Sequence, residues 1–178
     1  QGLLDMMSLV ETFGKVDGLK VAIIGDVLHS RVAMSNIIGL KTMGAEVTLC
    51  GPPTLIPVNI DELGVNVSFN LDEVLKWADA VNILRIQRER QGVHYIPSIR
   101  EYRSLFGITR ERVAALDKEL TIMHPGPMNR GVEIDSDVAD SENAIILDQV
   151  LNGVAIRMSV LFHLLGEKST ESAKEAQA

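Results

Sequence analysis

The stretch AVNILRIQRER, residues 80–90, decides how the rest of the chain is read. Its first half is a short apolar run with β-branched residues, and its second half alternates charge with amide. Such a run reads as a buried strand leaving a sheet and becoming a loop. In an open α/β sheet the loops at the carboxyl ends of the strands receive the ligand, so Arg85 and Gln87 stand where a small molecule would meet them. Two residues apart on extended backbone, they share a face, and the Arg85 guanidinium offers a planar fork suited to a carboxylate. The alternative is a solvated surface cluster, the ordinary fate of charged residues.

Two other stretches share this design: GDVLHSRVA (25–33) follows LKVAII (19–24), and HPGPMNRG (124–131) follows LTIM (120–123). Each is an apolar strand ending in turn residues and an arginine, so three strand ends converge on chemistry for an anionic ligand. Around them the spacing predicts helices over 1–13, 30–43, 58–63, 71–78, 109–116 and 144–165, a strand at 46–50 and a brief edge strand at 66–69. Strand after helix after strand implies parallel pairing. The fold class is α/β, a doubly wound, mainly parallel sheet with helices on both faces, Rossmann-like. Residues 91–107 are polar and weakly periodic, which fits a mobile substrate loop and an ordinary surface excursion equally well. Residues 1–166 read as one domain and 167–178 as a polar, disordered tail. The first helix opens at residue 1 with neither cap nor lead-in, so the chain is expected to be a piece of a longer protein.

With 178 residues, 46% hydrophobic and 4% aromatic, the chain can bury a core filled by aliphatic side chains and Met. No apolar run reaches the roughly 18 residues of a membrane span and no signal peptide opens the chain, so a soluble, cytoplasmic protein is expected. A net charge of −7 argues against nucleic acid. The arginines at 85–90 and 100–112 are a local exception that suits a small anion. Cys50 is the single cysteine, which excludes a disulfide within the chain, and its strand context predicts a buried thiol. His29 and His94 have no partner at metal-ligand spacing, so neither metal nor cofactor is implied.

Gly25-Asp26 after a strand invites a dinucleotide reading, yet that site needs G-x-G-x-x-G, and residues 27–30 are Val, Leu, His and Ser. Asp26 and Ser30 instead shape the turn and cap the helix. Arg31, in the first helical turn, has the wrong charge for the helix dipole and so answers to something else. His124 reads as structural. The two prolines after it leave carbonyls in fixed directions, and the Gly126-Pro127 bond is expected to be cis.

Through GDVLHSRVAMSN (25–36), RIQRER (85–90), HPGPMNRGVEI (124–134) and VLNGVAIRMSVL (150–161), in that order, the chain resembles the aspartate carbamoyltransferases. The likeness runs over residues 1–166 and is to their C-terminal, aspartate-binding half. It implies that Arg31, Arg85 and Gln87 bind L-aspartate, and that Gln1 and the Gly126-Pro127 backbone bind the carbamoyl group of carbamoyl phosphate. Residues 1–14 would be the interdomain helix. An N-terminal carbamoyl phosphate domain, with its Ser-Thr-Arg-Thr-Arg loop, would supply the rest of the site. No catalytic residue is assigned within this chain, which alone would be inactive. The complete enzyme would be a homotrimer, in some members with regulatory or dihydroorotase chains, making N-carbamoyl-L-aspartate for pyrimidine synthesis. The rivals are an ornithine-type carbamoyltransferase, which typically carries His-Cys-Leu-Pro where residues 124–127 are His-Pro-Gly-Pro, and a non-catalytic Rossmann-like binding module.

Overall fold

A computed structural model describes residues 1–86 and 98–175, with side chains to residue 165. Five strands, β1 (Lys20–Ile24), β2 (Glu46–Cys50), β3 (Asn66–Ser68), β4 (Ala80–Ile83) and β5 (Thr121–Met123), form a sheet in the order β3-β2-β1-β4-β5. Every pairing is parallel. Ile24 is level with Cys50 on one side and with Ile83 on the other, so the loops that follow β1, β2 and β4 leave from one edge. The order reverses between β1 and β4. Chain leaving those two strands diverges to opposite sides and opens the crevice in which such sheets bind ligands.

Side chains alternate across this sheet, as a strand's period of two requires. Val21 and Ile23 join Val47, Leu49 and Met123 in a core under α1 (Gly2–Phe13) and α2 (Arg31–Thr42). Ala22 and Ile24 join Cys50, Val81, Ile83 and Ile122 in a second core, under α3 (Leu71–Trp77), α4 (Ile99–Phe106) and α6 (Ser136–Ala139). Both faces are therefore covered, which is why the strands are apolar almost throughout. Ser30 caps α2 by accepting from Ala33 N at 3.1 Å, and Thr109 caps α5 (Arg110–Ala114) by accepting from Arg112 N at 3.4 Å.

The backbones crowd where the strands exit. A Cβ on Gly51 would lie 2.5 Å from Gly25 O, and one on Gly25 would lie 3.0 Å from Leu84 O. Gly25 also has φ 119, a conformation open to glycine alone in practice.

Three expectations need correction. Residues 99–106, read as part of a structureless excursion, form α4, which Ser98 caps by accepting from Glu101 N at 3.1 Å. Its buried anchors Tyr102 and Phe106 are one helical turn apart. Residues 58–63 give only a 3-10 turn at Ile60–Leu63. The last helix, read as 144–165, is α7 and runs over Ile146–Glu175. After Gly166 that stretch has no Gly or Pro and holds three Glu and two Lys, good helix formers that carry the backbone on without an apolar face to bury. The expectations for residues 91–97 and 176–178 lie outside the described residues.

Candidate functional site

Each predicted loop begins where its strand runs out. After β1, buried Asp26 accepts from His29 N at 3.1 Å and meets His29 Nδ1 at 2.9 Å. The carboxylate thus closes a local turn that delivers Ser30 to its capping position and Arg31 to the first position of α2. Arg31 is exposed, and the first turn of α2 holds no acidic residue to offset it. After β4, Leu84 N continues the ladder onto Ile24 O at 2.7 Å, and Arg85 follows, half-buried, at the crevice. Gln87 lies outside the described residues.

Asn129 Nδ2 donates to Ile86 O at 3.1 Å, so the loop after β5 is tied to the exit of β4. Within that loop His124 is buried, and its Nδ1 accepts from Gly126 N at 2.9 Å. The other ring nitrogen therefore carries the hydrogen and lies 3.4 Å from Glu133 Oε1. This is the structural role expected of His124: it staples the turn in front of the Gly126-Pro127 bond, which is cis.

The third arginine, Arg130, is held by a carboxylate of its own region. Arg130 forks onto both carboxylate oxygens of Asp140 at 2.7 Å each and onto Ser136 O at 3.1 Å. Those bonds raise its pKa and hold the Asp140 carboxyl below its ordinary value. Within the expected positive patch at 100–112, three arginines are paired: Arg103 with Asp135 and Arg112 with Asp72, both at 2.8 Å, and Arg110 with Asp137 at 3.8 Å. Sequence alone shows the arginines but not the carboxylates that fold against them.

A cavity of about 260 Å³ brings Gln1 together with Gly126, between α1, the β5 loop and α7. Gln149, Gly153 and Arg157 of α7 complete its polar and close-packed walls. Pro127, Arg31 and Arg85 are not among its lining residues. Beneath it lies a polar group that sequence reading missed. Asp5 is 1% exposed, and its carboxylate takes four amide hydrogen bonds. Oδ1 accepts from Gln1 Nε2 at 2.9 Å and Gln149 Nε2 at 2.8 Å. Oδ2 accepts from Asn36 Nδ2 at 2.7 Å and Asn82 Nδ2 at 3.1 Å. Gln149 Oε1 in turn accepts from His124 N at 2.9 Å. Burial pushes the Asp5 carboxyl up from its ordinary value, and the four amides pull it back only in part. The missed signal was Gln1, Asp5 and Ser8 at helical spacing inside an apolar stripe, since a polar line on a buried face must find partners.

A parallel sheet with arginines after two adjoining strands, and with a cavity walled by amides and a fixed turn, defines an α/β domain for small polar ligands. Residues 17–164 match the family described as the aspartate/ornithine carbamoyltransferase Asp/Orn binding domain, and the chain belongs to that family. It is 58% identical over 167 residues to the aspartate carbamoyltransferase catalytic subunit of Carboxydothermus hydrogenoformans, covering 93% of this chain and 54% of that one. With the Gemmatimonas aurantiaca protein of the same name the figures are 56% over 177 residues, 99% and 55%. The chain spans about half the length of the curated relatives it matches. Among solved structures, the catalytic subunit of M. jannaschii aspartate transcarbamoylase superimposes with a TM-score of 0.79 at 30% identity, covering 95% of this chain and 56% of that one. For the ornithine carbamoyltransferase from Pyrococcus furiosus the values are 0.75, 27%, 91% and 54%.

Proposed function

We propose that this chain is the aspartate-binding half of an aspartate carbamoyltransferase. With a carbamoyl phosphate-binding half it transfers the carbamoyl group of carbamoyl phosphate to the α-amine of L-aspartate. The products are N-carbamoyl-L-aspartate and phosphate, in cytoplasmic pyrimidine synthesis, and the complete enzyme is a homotrimer. The observation that carries this reading is the meeting of Gln1 and Gly126 in one cavity, in a domain whose β1 and β4 exits carry Arg31 and Arg85. It is supported by 58% identity to a catalytic subunit of that name.

In this reading Arg31, Arg85 and Gln87 hold the two carboxylates of aspartate, and Gln1 with the Gly126-Pro127 backbone holds the carbamoyl group. The carbamoyl NH₂ is a donor. It needs acceptors, which an amide oxygen and fixed carbonyls provide. The amine nitrogen attacks the carbonyl carbon, a C–N bond forms, the C–O bond to phosphate breaks with its electron pair leaving on phosphate, and the nitrogen loses a proton. No covalent enzyme intermediate is needed, so positioning and charge stabilisation supply the rate. Donors for the phosphate and the developing oxyanion come from the other half.

The outer face of α7 supports a second half. Leu151 and Phe162 are 70% and 73% exposed, and Leu147, Val150, Met158 and Leu165 are exposed with them. A contiguous apolar face of this kind marks an interaction surface. Residues 1–166 are then the domain and 1–14 its interdomain helix.

The test is the complete enzyme with Arg85→Ala. The KM for aspartate rises, at a cost of about 2–4 kcal/mol in kcat/KM for aspartate, while the carbamoyl phosphate term holds. An unchanged aspartate KM, or turnover of ornithine in place of aspartate by the unsubstituted enzyme, overturns the reading.

A further inference from the structure

Asp5 takes no part in the proposed transfer, yet it is the most heavily bonded side chain under the cavity. An ionised carboxylate has about four lone-pair sites and donates nothing. Here all four are filled, and by primary amides alone. Because each amide has one donating and one accepting end, a partner that only accepts fixes which end faces it.

Two of the four belong to the cavity. Gln1 turns its NH₂ to Asp5, which leaves the acceptor Oε1 turned from Asp5 in a residue that lines the cavity. Gln149 does the same, and its Oε1 then meets the N–H of His124. His124 Nδ1 holds the N–H of Gly126 two residues on. A single carboxylate thereby sets the polarity of Gln1 and anchors the first residue of the loop that ends in Gly126-Pro127. Asn36 and Asn82 brace its far oxygen from α2 and β4.

We propose that Asp5 is a positioning residue for the carbamoyl end of the site, orienting the Gln1 amide directly and the 124–127 loop through Gln149. The proposal rests on the assignment of Gln1 and Gly126-Pro127 to the carbamoyl group. An uncharged Asn at position 5 puts a donor on one of the two oxygen positions and removes the charge that holds the amides; with the donor on the side of Gln1 and Gln149, both must flip or lose their bonds. A flipped Gln1 presents NH₂ to the carbamoyl NH₂, donor against donor. A flipped Gln149 releases the His124 N–H.

The experiment uses the complete enzyme, with Asp5→Asn, Gln149→Met and Gln1→Ala made singly and Asp5→Asn also combined with Gln1→Ala. The KM for carbamoyl phosphate is expected to rise at least tenfold in each single variant, with the aspartate KM within twofold and the midpoint of thermal unfolding above the assay temperature. In the Gln1→Ala background Asp5→Asn is expected to cost less than it does alone, because the route through the Gln1 amide is already gone and only the loop route through Gln149 remains. Should Asp5→Asn fail to fold, Gln149→Met decides, because it leaves the carboxylate charged and unties only the loop. A carbamoyl phosphate KM within twofold of the parent in the folded variants overturns the proposal. So does a uniform loss of all steady-state constants in step with the fraction folded, which marks Asp5 as a structural residue. Failure of the unsubstituted enzyme to form carbamoyl aspartate is a different result and refutes the parent assignment.

Discussion

The flank built from α3 to α6 and the outer face of α7 are both surfaces of the same domain, finished in opposite ways. On the first, arginines pair across elements: Arg112 joins α5 to Asp72 of α3, and Arg103 joins α4 to Asp135 beside α6. Arg112 also donates to Gly107 O and Ser104 O, both at 2.9 Å. On the second, the exposed side chains are Leu, Val, Met and Phe, from Leu147 at 82% to Leu165 at 65% exposure. Ion pairs in water contribute little to stability but keep a surface compatible with solvent. An apolar face has no such compatibility and gains about 25 cal/mol per Å² when covered. The difference marks which side of the domain is finished for water and which is not.

The largest effect that could break this comparison is at Leu151. In the complete enzyme Leu151→Asp is expected to cost on the order of 3–5 kcal/mol, as an uncompensated buried charge does. In the isolated chain it should cost less than about 0.5 kcal/mol, as exposed substitutions do. Urea titration of both forms checks it, and equal costs would mean that α7 faces solvent. On the opposite flank Arg112→Met should cost about 1–2 kcal/mol in either form, because its loss leaves the Gly107 and Ser104 carbonyls without their donor. A larger cost in the complete enzyme would place an interface there too.

A third effect is read against pH. The Asp5 carboxyl sits above its ordinary value of 3.8 in the folded chain, so the fold binds that proton more readily than the unfolded chain does. Its ionised form therefore costs stability at neutral pH, and the cost is relieved as pH falls through the folded value. Relative to Asp5→Asn, the parent chain should gain stability between neutral pH and about 4; urea midpoints showing a constant gap would contradict this. The smallest effect is at Arg130. Its pair with Asp140 is fully solvated, and Arg130→Ala should leave the unfolding midpoint of the isolated chain where it was.

Much of the fold was legible because the strands are short apolar runs ended by Gly, Pro or charge, and the helices between them carry Ser30 or Thr109 at their starts. α4 escaped because Pro97 and scattered arginines mask a capping box, Ser98 with Glu101 three residues on. At the site, local chemistry was readable: the turn held by Asp26, the cap at Ser30, the stapling role of His124. Long-range pairing was not. Whether an arginine meets a ligand or a carboxylate depends on partners such as Asp72, 40 residues from Arg112, or Asp135, 32 from Arg103, and no periodicity reports them. Asp5 is the same failure at greater range, since its partners lie on α1, α2, β4 and α7.

The bonds from Gln149 to Asp5 and from Asn152 to Ser8 each span 144 residues, and Gly153 lets Leu4 Cδ2 come within 3.3 Å of where a Cβ would stand. On the ribosome this has a temporal meaning. At about 5–20 residues per second, α1 is made roughly ten seconds or more before the helix that completes it. Through that interval the Asp5 carboxylate depends on water and the asparagines of α2 and β4, and the sheet must assemble beneath an unclosed first helix. Release of the last helix from the exit tunnel is then the event that commits the domain, and a nascent chain halted before Gln149 should remain open to proteases along α1.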